Sequence, residues 1–112
     1  MSGSRLVLAG LLAVSLGAAA EPDAKVQRLW KAKCGSCHGA DGKGKTETGA
    51  KLGIPDFTTA AWQKQVSAEE AKKAITDGFT RPGKSEGMDA YKDKLEPDQI
   101  DALVAYVKAL GK

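Results

Sequence analysis

The chain has 112 residues, which is one domain at most. Aromatic residues make up 5% of it while glycines number 13, so side chains alone build a thin core, and a domain of this size draws on disulfides, a metal or a cofactor. A net charge of +3 is small, and it argues against a nucleic-acid-binding surface.

The first twenty residues, "MSGSRLVLAGLLAVSLGAAA", read as a secretory signal peptide. Arg5 marks a short charged n-region, Leu6 to Leu16 is apolar, and Ala18 and Ala20 supply the small residues of a cleavage site after Ala20. The stretch from Leu6 to Ala20 is shorter than the roughly 20 residues that span a bilayer as a helix. No cysteine follows it before Cys34, which argues against a lipoprotein. Residues 21–112 are then a single domain without linker or repeat, periplasmic or otherwise exported, with no stable membrane insertion once the signal is removed.

No sustained period-2 pattern announces a strand, and three helices stand out. The first is capped by Asp23 and places Val26, Leu29, Trp30 and Cys34 on one face. The second opens at "VSAEE": Ser67 and Glu70 form a capping box, Val66 can staple onto Ala71, the apolar side is Ala71, Ala74 and Ile75, and Gly78 ends it. A third begins with Pro97 at its first position and carries Ile100, Leu103, Val104, Val107 and Leu110 as its stripe, Tyr106 at one edge and Gly111 beyond. A short helical turn fits Thr59 to Gln65. The stretches Gly39 to Phe57 and Gly78 to Met88 read as long glycine-rich loops, which fit a domain that wraps something better than a simple bundle.

Both cysteines and the one histidine fall within "WKAKCGSCHGADGKG". If the first helix continues through this motif, Cys34, Cys37 and His38 share one face. Two thiols add to two vinyl groups while the imidazole reaches a central iron, which is the spacing of c-type haem attachment. The rivals are weaker. A disulfide across three residues closes too small a loop to staple the domain. Structural zinc lacks a fourth thiolate or imidazole, and a thioredoxin-like pair lacks its preceding strand. Export and a core in need of a cofactor favour haem, and a bound haem gives the loops something to enclose.

A single histidine excludes bis-histidine ligation within the chain. Met88 is the one methionine beyond residue 20, and it stands between Gly87 and Asp89 on a loop. One reading makes it a flexible core filler; the other, which its lack of close apolar neighbours favours, makes it the second axial ligand. An open coordination site, or a lysine such as Lys84, is the remaining alternative. A thioether opposite an imidazole raises the reduction potential and leaves no position for oxygen or peroxide, as suits an electron carrier.

With these motifs in their order and spacing, the sequence resembles the class I c-type cytochromes of bacteria. The resemblance covers essentially Ala24 to Leu110. It rests on "LWKAKCGSCHGADGKG", "GIPDFT", the "GM" of "EGMDAYKDKL" and "LEPDQIDALVAYVKAL". It implies an all-α cytochrome c fold, three main helices and long loops around one covalent haem c, with Trp30 and Tyr106 where the first and last helices cross. By the same resemblance Cys34 and Cys37 attach the haem, His38 and Met88 ligate its iron, and Pro55 offers its carbonyl to the His38 Nδ1–H. A plain turn residue is the other reading of Pro55. Trp62 either donates its indole N–H to a haem propionate or packs in the core. Tyr91, Phe57 and Phe79 are read as pocket or core residues. Two positions depart from the family: Val26 replaces a common glycine, implying a wider helix crossing, and Asp89 replaces a common proline after the methionine, leaving the ligand loop less rigid.

The function implied is a soluble monohaem carrier of single electrons, not an enzyme, and a monomer is expected. Two rivals share its motifs: an electron-transfer subunit of a larger oxidoreductase, and a haem sensor or enzyme in which Met88 is displaceable. Residues 25–51 hold seven lysines and arginines (Lys25, Arg28, Lys31, Lys33, Lys43, Lys45, Lys51) against Asp41 and Glu47. This basic segment brackets the attachment motif and suits docking with an acidic redox partner, or it is an ordinary solvated face.

Overall fold

A computed structural model describes Gly3 and residues 23–112; the export signal read in residues 1–20 lies, but for Gly3, outside the described residues. The described chain is all-helical: α1 (Ala24–Lys33), α2 (Gly35–His38), α3 (Glu47–Leu52), α4 (Ala60–Gln65), α5 (Ala68–Asp77) and α6 (Pro97–Ala109). The three longest, α1, α5 and α6, are the three read from the sequence. One isolated antiparallel bridge, Phe79 with Met88, is the extended pairing among the described residues.

The helix ends follow their local chemistry. The Asp23 carboxylate accepts the Lys25 amide at 3.1 Å and caps α1. Ser67 and Glu70 exchange bonds of 3.1 and 3.2 Å, the reciprocal box at the start of α5. Thr59 caps α4 through the Trp62 amide. At α6, Pro97 occupies the first turn, where its missing N–H costs nothing, and the Gln99 side chain accepts the Glu96 amide at 2.8 Å. Gly78 ends α5 with φ of +83°. A Cβ there would stand 2.7 Å from the Met88 carbonyl oxygen, so glycine allows both the left-handed turn and the close passage of the Met88 strand.

Two local features differ from the sequence reading. The first helix does not run through the motif: it stops at Cys34 (φ −123°, ψ −30°), and a separate turn, α2, carries Cys37 and His38. The amide of His38 still bonds the Cys34 carbonyl at 3.0 Å, so the motif keeps helical spacing across the break. The segment read as loop between Gly39 and Phe57 contains α3. Its glycines mask a real frame: Thr46 caps the Gly49 amide at 2.8 Å, and Gly53 closes the helix. Buried Gly49 passes so close to the Gly44 carbonyl that a side chain there would collide with it.

Trp30, Cys34, Ala71, Ile75, Leu95, Ile100, Leu103, Val104 and Val107 form one buried cluster. Each fully buried aliphatic side chain contributes about 1.5–3 kcal/mol, and few are present, as the composition foretold. Helix α6 packs on both α1 and α5. Trp30 and Tyr106 meet with ring centroids 5.3 Å apart. Further along the same pair of helices a cleft opens, lined by Val26 and Leu29 on α1 and by Asp98, Gln99 and Ala102 on α6.

Candidate haem-binding site

The thin core leaves a cavity of about 570 Å³, within the roughly 300–1,000 Å³ of small-molecule and cofactor sites. Its wall brings together distant parts of the chain. Trp30, Cys34, Cys37 and His38 come from α1, α2 and the turn between them; Pro55 and Phe57 follow α3; Trp62 lies on α4; Ala71, Ala74 and Ile75 lie on α5; Phe79, Met88 and Tyr91 come from the segment after α5. All six residues singled out from the sequence, Cys34, Cys37, His38, Pro55, Trp62 and Met88, line this one cavity. Lys84 does not: its ammonium donates to the Lys51 carbonyl at 3.3 Å.

The attachment motif is fixed by bonds that the sequence pattern does not announce. The indole N–H of Trp30 donates to the Gly39 carbonyl at 3.0 Å inside the protein. The hydroxyl of Thr46 donates to the Cys37 carbonyl at 2.6 Å, and the Gly44 amide to the His38 carbonyl at 2.7 Å. The His38 ring stands between Trp30 and Phe57, with centroid distances of 5.7 and 4.8 Å. Its orientation is therefore set by packing on both sides.

Electrostatics separate the motif from a redox-active thiol pair. Burial, and secondarily the neighbouring Cys37, push the Cys34 thiol up to about 11, whereas a reactive pair needs a lowered value. Neither cysteine is in a disulfide. Among the described residues no three His, Cys, Asp or Glu side chains converge as a metal-holding group, so a zinc site is not assembled. Burial also lowers the His38 pKa, which keeps the imidazole neutral near pH 7 and able to donate a lone pair to a metal.

The Nδ1 atom of His38 is buried without a hydrogen-bond partner. The bond from Nδ1 to the Pro55 carbonyl that the family resemblance implies is thus not made here, although Pro55 and His38 share the cavity wall. Trp62 stacks on Phe57 with centroids 4.1 Å apart, and the Lys108 ammonium lies 5.7 Å from its ring. That lysine also donates to the carbonyls of Gln63 and Val66 and so fastens α4 to α6.

Met88 owes its place to the backbone. Its amide and carbonyl bond the carbonyl and amide of Phe79 at 2.7 and 3.0 Å. The Tyr91 hydroxyl then donates to the Lys33 carbonyl at 3.1 Å, joining the Met88 segment to the end of α1. Burial first, then the nearby Cys34, Asp89 and Cys37, raise the Tyr91 pKa and hold the hydroxyl protonated as a donor.

An apolar, cofactor-sized cavity lined by two thiols at CxxC spacing, a neutral imidazole and a thioether fits a c-type haem and defines a haem-binding electron-transfer domain. The cytochrome c family model matches residues 24–111, and the chain belongs to the cytochrome c family. The cbb3-type cytochrome c oxidase subunit FixP of Bradyrhizobium diazoefficiens is 33% identical over 88 residues, covering 79% of this chain and 27% of FixP. Subunit CcoP of Rhodobacter capsulatus is 34% identical over 87 residues, covering 76% of this chain and 28% of CcoP. The chain thus spans about a quarter of the length of these curated relatives. Among solved structures, the KustC0563 c-type cytochrome superposes with a TM-score of 0.67 at 35% identity, covering 77% of this chain and 96% of that one.

The chain is accordingly a c-type cytochrome, an electron carrier rather than an enzyme, with one haem c joined covalently through the CxxC cysteines Cys34 and Cys37. Electron carriers of this family exchange electrons with redox partners, and c-type cytochromes are typically exported. No helix of the described residues is long and apolar enough to cross a membrane.

Proposed function

We propose that residues 21–112 form a soluble, monomeric, periplasmic monohaem cytochrome c that carries single electrons between redox proteins, with residues 1–20 as its cleaved export signal. His38 and Met88 would hold the iron. The observation that carries this reading is the meeting of Met88 with Cys34, Cys37 and His38 in one cavity, although Met88 comes from a segment fifty residues later and is held there by the Phe79 bridge.

When bound, haem supplies the Fe(III)/Fe(II) couple. This chain's own groups set its terms. The neutral His38 imidazole offers Nε2 as a donor, which leaves the ring proton on Nδ1. That Nδ1 is buried without a hydrogen-bond partner, and the Trp30 and Phe57 rings on either side fix the imidazole's orientation. A Met88 thioether bound to the iron would favour the ferrous state and exclude small ligands. The Trp62 indole N–H has no acceptor among the described residues and serves a propionate. Phe57, Ala71, Ala74 and Ile75 keep water from the iron. The lysines and arginines of residues 25–51 are all exposed and steer an acidic partner toward the attachment side.

The decisive experiment is the visible spectrum of protein matured in an export system with haem attachment, recorded oxidised, reduced, and reduced under carbon monoxide. Sharp c-type bands, a far-red methionine–Fe(III) band and indifference to carbon monoxide are expected. A clear carbon monoxide shift would remove Met88 from the iron and turn the reading toward sensing or catalysis. Partner electron-transfer rates should fall as salt is added; rates independent of ionic strength would refute the steering.

A second reading, an electron-transfer subunit of a larger oxidoreductase, is favoured by the match to FixP and CcoP. Coverage of 96% of the small KustC0563 cytochrome supports the free carrier instead. Size-exclusion of native extract, with haem absorbance as the tracer, separates the two.

A further inference from the structure

We propose that Tyr91 is a positioning residue for the Met88 ligand: its hydroxyl ties the ligand loop to the wall that carries the haem-attachment motif. The inference rests on the reading of Met88 as the closing axial ligand.

Tyr91 stands at a junction. Its hydroxyl donates to the carbonyl of Lys33, the residue before Cys34, at 3.1 Å. Its amide donates to the Ile75 carbonyl at 2.9 Å, and the next amide, of Lys92, reaches the Thr76 carbonyl at 3.2 Å. The ring is half-buried against the core and lines the cavity three residues after Met88. Backbone bonds thus hold this segment to the end of α5, and the Tyr91 side chain adds the connection to the end of α1.

No other link among the described residues does this. The Phe79–Met88 bridge closes the loop on itself and does not reach the attachment motif. The Lys51–Glu86 pair is 3.9 Å long with both side chains at least 70% exposed, a geometry that solvent screens to little value. The Lys84 bond to the Lys51 carbonyl is also exposed and reaches α3 rather than the motif. Asp89, next to Met88, places no restraint on φ of the kind a proline would. The tether that holds the thioether side against the thiol side is the Tyr91 hydroxyl.

Removing the hydroxyl should therefore shift the equilibrium between closed and open Met88 without unfolding the site. The test is Tyr91→Phe in the holoprotein, with imidazole titrated into the ferric form and the far-red band used to follow loss of Met88. We expect apparent imidazole affinity to rise three- to fivefold, or about 0.7–1 kcal/mol at 1.4 kcal/mol per tenfold, the range of one partly solvated hydrogen bond. Haem content and far-ultraviolet circular dichroism should match the unsubstituted protein.

A Met88→Ala background isolates the cause. There imidazole should bind more tightly than to the unsubstituted protein, and the added Tyr91→Phe change should do nothing further. If Met88→Ala leaves imidazole affinity unchanged, the premise that Met88 closes the iron fails. With that premise intact, an unchanged affinity in Tyr91→Phe alone refutes the tether. An equal gain in both backgrounds refutes it too, because Tyr91 would then act on access to the cavity and not through Met88.

Discussion

Replacing Trp30 by phenylalanine tests whether the attachment motif is held by its indole bond. Trp30 is 2% exposed, and phenylalanine keeps an aromatic ring against Tyr106 and His38 while deleting the N–H that reaches Gly39. The Gly39 carbonyl also accepts the Gly42 amide at 3.1 Å, so the variant loses one bond without stranding the oxygen. That loss is worth about 0.5–1.5 kcal/mol, not the larger penalty of an orphaned group. The smaller ring leaves a void a few atoms across, adding about 1–2 kcal/mol. A total of about 2–3 kcal/mol is large beside the roughly 5–15 kcal/mol that holds a domain together. At about 4–8 °C per kcal/mol for a domain of this size, the melting midpoint should fall by about 10–20 °C. Thermal unfolding of the holoprotein, followed by far-ultraviolet circular dichroism, reads it directly. A midpoint within about 4 °C of the unsubstituted protein would show that neither the bond nor the fit of Trp30 organises the motif.

Three further outcomes follow from the geometry. Gly78→Ala should lower the melting midpoint by about 5–15 °C, because alanine at φ +83° carries about 1–2 kcal/mol of left-handed strain and its Cβ presses on the Met88 carbonyl; an unchanged midpoint would show that the α5–Met88 junction yields freely. Thr46→Val removes both the α3 cap and the bond to the Cys37 carbonyl, and should cost about 1–2 kcal/mol in urea unfolding, with faster amide exchange at Gly49. The Thr58 hydroxyl and then its amide hold the Asp56 carboxyl below its ordinary 3.8. A depressed carboxyl stabilises the fold above its unfolded value and loses that contribution as pH falls through its folded value. Thr58→Val should thus lower stability at neutral pH and flatten its decline below about pH 4, read as parallel acid titrations of the two proteins.

Features written in local chemistry were legible in the sequence. Asp23, the Ser67–Glu70 box, Gly78 and Pro97 each mark a helix end by a short-range rule, and the Ile100–Val107 stripe follows from helical spacing. The residues that meet in the candidate cavity could be picked out because CxxCH is a local motif and Met88 stands alone on its loop. Helix α3 was hidden because it is short and Gly49 lowers its propensity, a glycine that the close approach to Gly44 requires; the spacing of Thr46 and Gly53 was the available signal. The break at Cys34 is a change in backbone angles that helical periodicity does not register. Bonds from Trp30 to Gly39 and from Tyr91 to Lys33 join residues nine and fifty-eight apart, and only the folded chain brings the latter pair together.

The two sides of the cavity differ in how far along the chain their fastenings reach. On the thiol side, Trp30–Gly39, Cys37–Thr46 and His38–Gly44 all close within ten residues. On the thioether side the Phe79–Met88 bridge is as short, but the tie to the rest of the wall, from Tyr91 back to Lys33, spans fifty-eight residues. Short closures carry the smaller entropic cost and form sooner. The neighbourhood of the cysteines can therefore be shaped before the Tyr91–Lys33 tie closes, an order that would leave the cavity accessible from the Met88 segment to a bulky planar group.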